Sequence, residues 1–363
     1  MERRTFARVV CATPSLLAAD RLKRIQVAVL THAGGAHLSS YFPALAGTEE
    51  VESVVLSDPG GENVPAARKA LGQKLAGVYE DPAGLLRKEQ PAMALVTMEA
   101  ALAPPAIHAA LDAGCHVMAE KPACVRLEDF EPLKRKAERS NRHLMLALAN
   151  RLDPAMREAR RLISAGQIGK IYGVEMHLIA DQTRLTRPAY HQSWFARKAR
   201  AGGGHLIWLG IHWLDLAMHL TGSRVREVAG FAGVVGGQPL DVEDSAVVAM
   251  KFDNGVFGAL TSGYYLDRGY HSHIKVWGSQ GWLHLQKHGD GPLQWYSTKE
   301  AKPQVRRLPP SNQPSGYGPF VRAAVRASAG LEDPPLTGDD SLYVLRTVFA
   351  CYRAAGTGKT QTV

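Results

Sequence analysis

The chain has 363 residues, 45% of them hydrophobic and 21% charged, enough for two domains with separate cores. Its net charge is +9, but residues 1–24 hold six of the 43 basic residues against two of the 34 acids, and no basic patch interleaved with aromatics follows, so no nucleic-acid partner is expected. No apolar run reaches the roughly 20 residues that cross a bilayer, which argues against membrane insertion, and the four cysteines lack Cys-x-x-Cys spacing, so neither a disulfide framework nor a metal site is expected.

Taken in order, the chain opens on MERRTFARVVCATPSLLAAD. Arg3 and Arg4, then a weakly apolar run to small residues, read either as a twin-arginine export signal cleaved near Ala18 or Ala19 or as the basic leader of a cytoplasmic enzyme. IQVAVL then reads as a buried parallel strand and residues 38–46 as a helix. VESVVLS is a second strand ending at Asp58, AARKALGQKL a helix, AMALVT a third strand, and PPAIHAALDAG a helix. CHVMAE is a fourth strand, LEDFEPLKRKAERSN a charged helix and HLMLALA a further strand. Alternating strands and helices imply βαβ units on a parallel sheet, so residues 25–149 are expected to form a Rossmann-type dinucleotide-binding domain.

The pattern changes over residues 150–363. AMREARRLISAG is one helix, followed by strands at IYGVEMHLI, VREVAGFAGVVG, SAVVAMKFD, GVFGALTSGYY, HSHIKVWGS and GWLHLQ. Asp253-Asn254-Gly255 and Ser279-Gln280-Gly281 are hairpin signals. The expected architecture is an α+β domain on a mostly antiparallel open sheet. Residues 301–318 read as a Pro-rich loop, and FVRAAVRASAG and DDSLYVLRTVFACYRAAG as closing helices that pack back.

Ligands of a doubly wound sheet bind beyond the carboxyl ends of its strands. The first such tail, THAGGAH, lacks Gly-x-Gly-x-x-Gly spacing: Thr31 and Ala33 stand near the first two glycine places, followed by Gly34 and Gly35. A displaced glycine pair still presents backbone N–H groups at a helix start. His32 and His37 could touch a phosphate there, although His37 could equally pack at the helix start. Asp58 is placed for an adenosine ribose, favouring NAD over NADP, with a plain turn carboxylate as the alternative. Thr97 and Glu99, after AMALVT, would edge the nicotinamide pocket.

Two later stretches carry more chemistry. In HVMAEKPACVRLEDF, Glu120-Lys121-Pro122 follows a strand, where the Lys121 ammonium could orient a substrate hydroxyl and stabilise an alkoxide. In GGGHLIWLGIHWLDLAMHLTG, a helix is expected from about residue 206, with Trp208 and His212 on one face. His212 would accept a proton. Trp208 would line the substrate cleft and stack on a sugar ring. Trp194, Arg197 and Arg200, just before the glycines, are further substrate-side candidates.

Together, HVMAEKP, the GGG-x-L-x-x-x-G-I-H-x-x-D run, ANRLDP and FDNGVFGAL resemble the glucose–fructose oxidoreductase, inositol dehydrogenase and rhizopine catabolism family, written Gfo/Idh/MocA. The likeness covers residues 25–363. It implies a Rossmann domain, a second domain whose open sheet often joins subunits into a homo-oligomer (dimer or tetramer), and NAD-dependent chemistry on a sugar, glycoside or cyclitol. In that pattern Lys121 matches the Glu-Lys-Pro lysine and His212 the catalytic histidine. Many members carry an Asp where this chain has Trp208, and a proline after the threonine of the third-strand tail where this chain has Met98-Glu99. These departures leave two rivals open: a non-catalytic ligand-binding or regulatory member, and a redox-neutral enzyme with bound NAD.

Overall fold

A computed structural model describes residues 23–266, 268–286 and 291–363; the twin-arginine leader lies outside the described residues. The first half runs β1 (Ile25–Thr31), α1 (Leu38–Gly47), β2 (Val51–Ser57), α2 (Val64–Leu71), β3 (Leu75–Tyr79), α3 (Pro82–Glu89), β4 (Met93–Thr97), α4 (Ala103–Asp112), β5 (His116–Ala119), α5 (Leu127–Arg139) and β6 (Leu144–Leu146). The strands pair in parallel in the order β3-β2-β1-β4-β5-β6. Strand order reverses between β1 and β4, which opens a crevice at their carboxyl ends. This is the expected Rossmann sheet, with one strand more than the sequence suggested. The helix expected to run through Leu75 stops at Leu71, because Gly72 turns the backbone to φ +54°. β3 then forms the sheet edge, where partial exposure masks the apolar run that marks buried strands.

The second half runs α6 (Pro154–Ser164), β7 (Ile171–Asp181), α7 (Pro188–Gln192), α8 (Lys198–Ala201), α9 (Ile211–Thr221), β8 (Val225–Gly233), β9 (Ser245–Phe252), β10 (Phe257–Leu266), β11 (Tyr270–Gly278), β12 (Gly281–Gln286), β13 (Leu293–Ser297), β14 (Arg306–Leu308), α10 (Tyr317–Ser328), α11 (Gly338–Thr357) and β15 (Gln361–Thr362). Its nine strands order as β14-β13-β12-β11-β7-β10-β9-β8-β15, antiparallel except where β7 meets β10. Both expected hairpins form, β9–β10 and β11–β12. The Pro-rich segment expected as loop contributes the short edge strand β14. Val174, Met176 and Leu178 of β7 point inward with Ile274 and Val276 of β11 and are buried, and α9 packs against β7 on this face. The opposite face stays open.

Buried polar contacts hold the second domain together and join it to the first. Arg151 grips Asp215 of α9, Nη2 to Oδ1 at 2.6 Å and Nε to Oδ2 at 2.8 Å, and reaches Asp340 of α11 at 3.2 Å. Asp215, three residues after His212, is therefore a structural ion-pair partner. The closing helices pack back: α10 against α1, and α11 against α5 and β8. The Ser341 hydroxyl accepts the Leu146 N–H at 3.2 Å.

Burial holds several histidines neutral. His205 is pushed down to about 3 by burial and by Arg184, and His116 and His219 to about 4, again chiefly by burial. The unfolded imidazole titrates near ~6.5. Below that pH the unfolded chain binds protons that the folded chain refuses, so stability is full above about 6.5 and is lost as pH falls toward the folded values. His205, fully buried, contributes a slope of about 1.4 kcal/mol per pH unit within that window. Urea unfolding of the wild type and His205→Gln between pH 7 and about 4.5 should therefore show a shallower acid limb in the variant; parallel limbs would refute the assignment.

Candidate active site

The altered loop after β1 is built by two glycines with different tasks. Gly34 takes φ +76°, which favours glycine. Gly35 sits where a Cβ would come within 2.1 Å of Thr31 Oγ1 and 2.9 Å of the Thr97 carbonyl, so only a bare backbone fits. Thr31 Oγ1 donates to the Thr97 carbonyl at 2.9 Å, and Thr97 Oγ1 donates to the Ala36 carbonyl at 2.6 Å. Thr97 thus holds the loop onto β4. No side chain caps the start of α1 and its first turn carries no acid. The positive end of the helix and its first amides face the loop, a donor set that fits a pyrophosphate.

His32 and His37, considered as phosphate contacts, are committed elsewhere. His32 Nε2 accepts the Glu99 N–H at 2.8 Å, which stitches the loop to the tail of β4. His37, at φ +59°, hydrogen-bonds Glu120 Oε2 through Nδ1 at 3.0 Å, and its ring lies 4.6 Å from that of Tyr317. Asp58 is buried after β2, where its carboxylate accepts the Asn63 backbone N–H at 2.7 Å and side-chain amide at 3.0 Å. The same amide donates to the His32 carbonyl at 3.1 Å. The turn-carboxylate alternative thus describes Asp58 in this structure, and a ribose would share it with Asn63.

The segment before the triple glycine closes over this loop. Trp194 Nε1 donates to the Gly34 carbonyl at 3.3 Å, so this expected substrate residue sits on the cofactor loop. Arg200 forms a two-point ion pair with Glu99, Nε to Oε1 at 3.1 Å. A residue expected on the substrate and one expected on the cofactor neutralise each other across the domain boundary. Arg197 is exposed.

Lys121 lies at the centre. Its side chain is 2% exposed, and Nζ donates to the Trp208 carbonyl at 2.5 Å, stands 3.7 Å from Glu120 Oε1 and lies 4.9 Å from the Trp208 ring centroid. Burial lowers the Lys121 ammonium from its usual range against the opposing pull of Glu120, and Arg184 adds to the lowering. Glu120 is buried too. Burial alone would raise it, but the His37 hydrogen bond and the Lys121 charge bring it below the usual carboxylate range. The Tyr41 hydroxyl donates to its Oε2. The peptide joining Lys121 to Pro122 is cis.

The triple glycine sets the facing helix. Gly202 takes φ +83°, and a Cβ at Gly204 would lie 1.8 Å from the Glu243 carbonyl. Glu243 accepts the Gly204 N–H at 2.7 Å, the Leu206 N–H at 2.9 Å and the Tyr352 hydroxyl at 2.7 Å, capping the chain as it enters the helix. Leu206–Gly210 winds as a π-helical turn before α9, not as the regular helix expected. Trp208 lies in that turn and His212, buried, in the first turn of α9. The carbonyl that Lys121 grips is thus about one turn, roughly 6 Å of rise, before His212. Trp208 does meet Lys121, but as a buried wall. Its N–H donates to the Ala201 carbonyl at 3.1 Å and its ring meets Trp194 and Phe195 edge-on, each at 5.0 Å. The expected open stacking surface is corrected to a support for Lys121.

One cluster had no sequence signal. Arg184 lies beside Lys121, with its Nη1 3.5 Å from the Tyr264 hydroxyl, and Tyr190 hydrogen-bonds Tyr264. Tyr270 lies near both Arg184 and Tyr317. These residues come from four separated segments, so no local spacing announces them. The arrangement offers a buried ammonium, a histidine about one helical turn beyond the carbonyl it grips, and an Arg184–Tyr264–Tyr190 group whose charge reaches that ammonium, a set suited to an alcohol or carbonyl group.

Residues 28–148 match an oxidoreductase family with an NAD-binding Rossmann fold, and residues 156–284 match the GFO/IDH/MocA C-terminal domain. The 1,5-anhydro-D-fructose reductase of Ensifer adhaerens is 27% identical over 270 residues, 70% of this chain and 74% of that protein. The myo-inositol 2-dehydrogenase of Thermotoga maritima is 25% identical over 230 residues, 62% of this chain and 65% of that protein. A crystal structure of an oxidoreductase domain protein from Kribbella flavida shares the fold with a TM-score of 0.85, at 24% identity over 94% of this chain and 99% of that one.

Proposed function

The chain belongs to the GFO/IDH/MocA family of NAD-binding oxidoreductases, and from that premise we propose that it oxidises or reduces a hydroxyl or carbonyl carbon of a sugar, glycoside or cyclitol. The observation that carries this reading is the buried Lys121 ammonium, held between Glu120 and the turn that leads to His212. A bound nicotinamide supplies hydride acceptance or donation. An ammonium has three donors. One is spent on the Trp208 carbonyl and one is drawn to Glu120, which leaves the third for a substrate oxygen. There it stabilises developing alkoxide charge in a site with little water. His212 takes the hydroxyl proton, or returns it in the reverse direction. Glu120 bonds His37, whose side chain is 38% exposed, and this gives the buried pair a hydrogen-bonded route to solvent. Arg184, Tyr190 and Tyr264 provide the hydrogen-bonding wall that a polyhydroxylated substrate needs.

The open face of the large sheet supports self-association. Phe231 of β8, Val247 of β9 and Phe257 of β10 are exposed, and the register puts them on the same side as Ala249 and Ala259. Such a face resembles one half of a packed pair of sheets.

Lys121→Met and His212→Gln should each lower turnover of a substrate found in a cyclitol and glycoside panel by roughly 10²–10⁴-fold while NAD still binds. Undiminished turnover in both variants would end the catalytic assignment, and sugar binding without turnover by the wild type would favour the binding-protein reading. Calorimetry should give tighter binding of NAD than of NADP, because the Asp58 carboxylate repels a 2′-phosphate; equal or reversed affinities would remove Asp58 from that role. In sedimentation, the wild type should run as an oligomer and a Val247→Lys, Phe257→Lys double variant as a monomer, whereas unchanged assembly would exclude this face.

A further inference from the structure

The open face of the large sheet also carries a group of side chains that the alcohol chemistry does not use. Glu175 and His177 are two apart on β7, so both project to this face. His273 of β11 pairs directly with His177 in the antiparallel register. Directly opposed residues have Cβ atoms about 4.5–5.5 Å apart, close enough for two imidazoles to share one ligand. Their rings stack at 4.5 Å between centroids. His284 of β12 lies next in the row, 5.5 Å from the His273 ring. A pocket of about 340 Å³ opens beside them, lined by Glu175, His271, His273, Lys275 and His284.

We propose that Glu175, His177 and His273 form a binding site for a divalent transition-metal ion of the zinc class on the open face of the sheet. One donor atom from each lies within 4.8 Å of the others. Glu175 Oε1 stands 3.5 Å from His177 Nε2 and 3.6 Å from His273 Nε2. Those separations are long for hydrogen bonds. They match the roughly 3.4 Å expected between two ligands each about 2.1 Å from a tetrahedral ion. Two imidazoles and one carboxylate make a donor set that zinc accepts, with the fourth position left for a water molecule or a further donor. Lys275 is the one cation in the lining, and its ammonium is drawn to the Trp277 ring at 4.3 Å and the Trp282 ring at 5.8 Å. All three donors come from one chain, so one ion per chain is expected.

The test is a titration of the full-length protein, with its nicotinamide bound, by Co²⁺ and then Zn²⁺. One equivalent of Co²⁺ should give the intense visible bands of a tetrahedral site, and one equivalent of Zn²⁺ should abolish them. His273→Gln and Glu175→Gln, checked for folding by circular dichroism, should each weaken Zn²⁺ binding at least tenfold, since even outer-shell changes cost about 10–100-fold. His108→Ala, on the exposed surface of α4, should leave binding unchanged. No stoichiometric binding, or binding that survives both glutamine variants, would overturn the site.

Discussion

The structure turns on one buried cation. Lys121 is withdrawn from water at the junction of the two domains, and a buried ammonium is tolerated only where charge and hydrogen bonds replace its hydration. Glu120 provides the charge from the adjacent position. The Trp208 carbonyl, from the other domain, provides the hydrogen bond, and the Trp208 ring covers it. The end of a Rossmann strand and the start of a helix in the second domain are therefore fixed to each other by this one group. The π turn and the Glu243 cap lie directly around this contact. In a regular α-helix the carbonyl of residue 208 would be taken by the N–H of residue 212. The wider turn at Leu206–Gly210 alters that ladder where Lys121 must dock, and Glu243 satisfies the amides at the glycine entry.

The glycine loop shows how a fingerprint can shift and keep both its tight turn and its close backbone approach. Thr31 occupies the place near the first glycine, but its hydroxyl is turned onto the Thr97 carbonyl instead of crowding the turn. The tight turn moves to Gly34, and the close approach to Gly35. Thr97, Glu99 and His32 bind the loop to β4, work that a fixed glycine spacing would not reveal. The uncapped start of α1 remains available beneath it.

Much of this was legible in the sequence because it is local. Apolar runs marked the buried strands β1, β2, β4 and β5, the Asp-Asn-Gly and Ser-Gln-Gly turns marked two hairpins, and Glu-Lys-Pro together with the triple glycine marked both halves of the junction. What was not legible depends on pairings distant in sequence. β3 was hidden because an edge strand is only half apolar and the preceding helix pattern runs into it. The Arg200–Glu99 pair joins residues 101 positions apart, and each looks like a free charge when read alone. Trp208 was read on a regular helix, whereas the π turn and the Trp194 and Phe195 rings make it a wall. Arg184, Tyr264 and Tyr317 converge only through tertiary packing.

The large sheet carries the same lesson to its two faces. In a strand, side chains alternate, so the register that points Met176 and Leu178 of β7 and Ile274 of β11 inward, on the side where α9 packs, points Glu175, His177 and His273 outward. A slip of one residue would exchange imidazoles for aliphatics on both faces at once. Burying α9, and with it His212, therefore fixes the open face as strictly as the core. The outward row was invisible in the sequence because its histidines are scattered over three strands: a two-residue spacing in β7 and a cross-strand partner almost a hundred positions later leave no motif. The sheet's inner face needs this register to seat α9, and the donor geometry of the outer face follows from it.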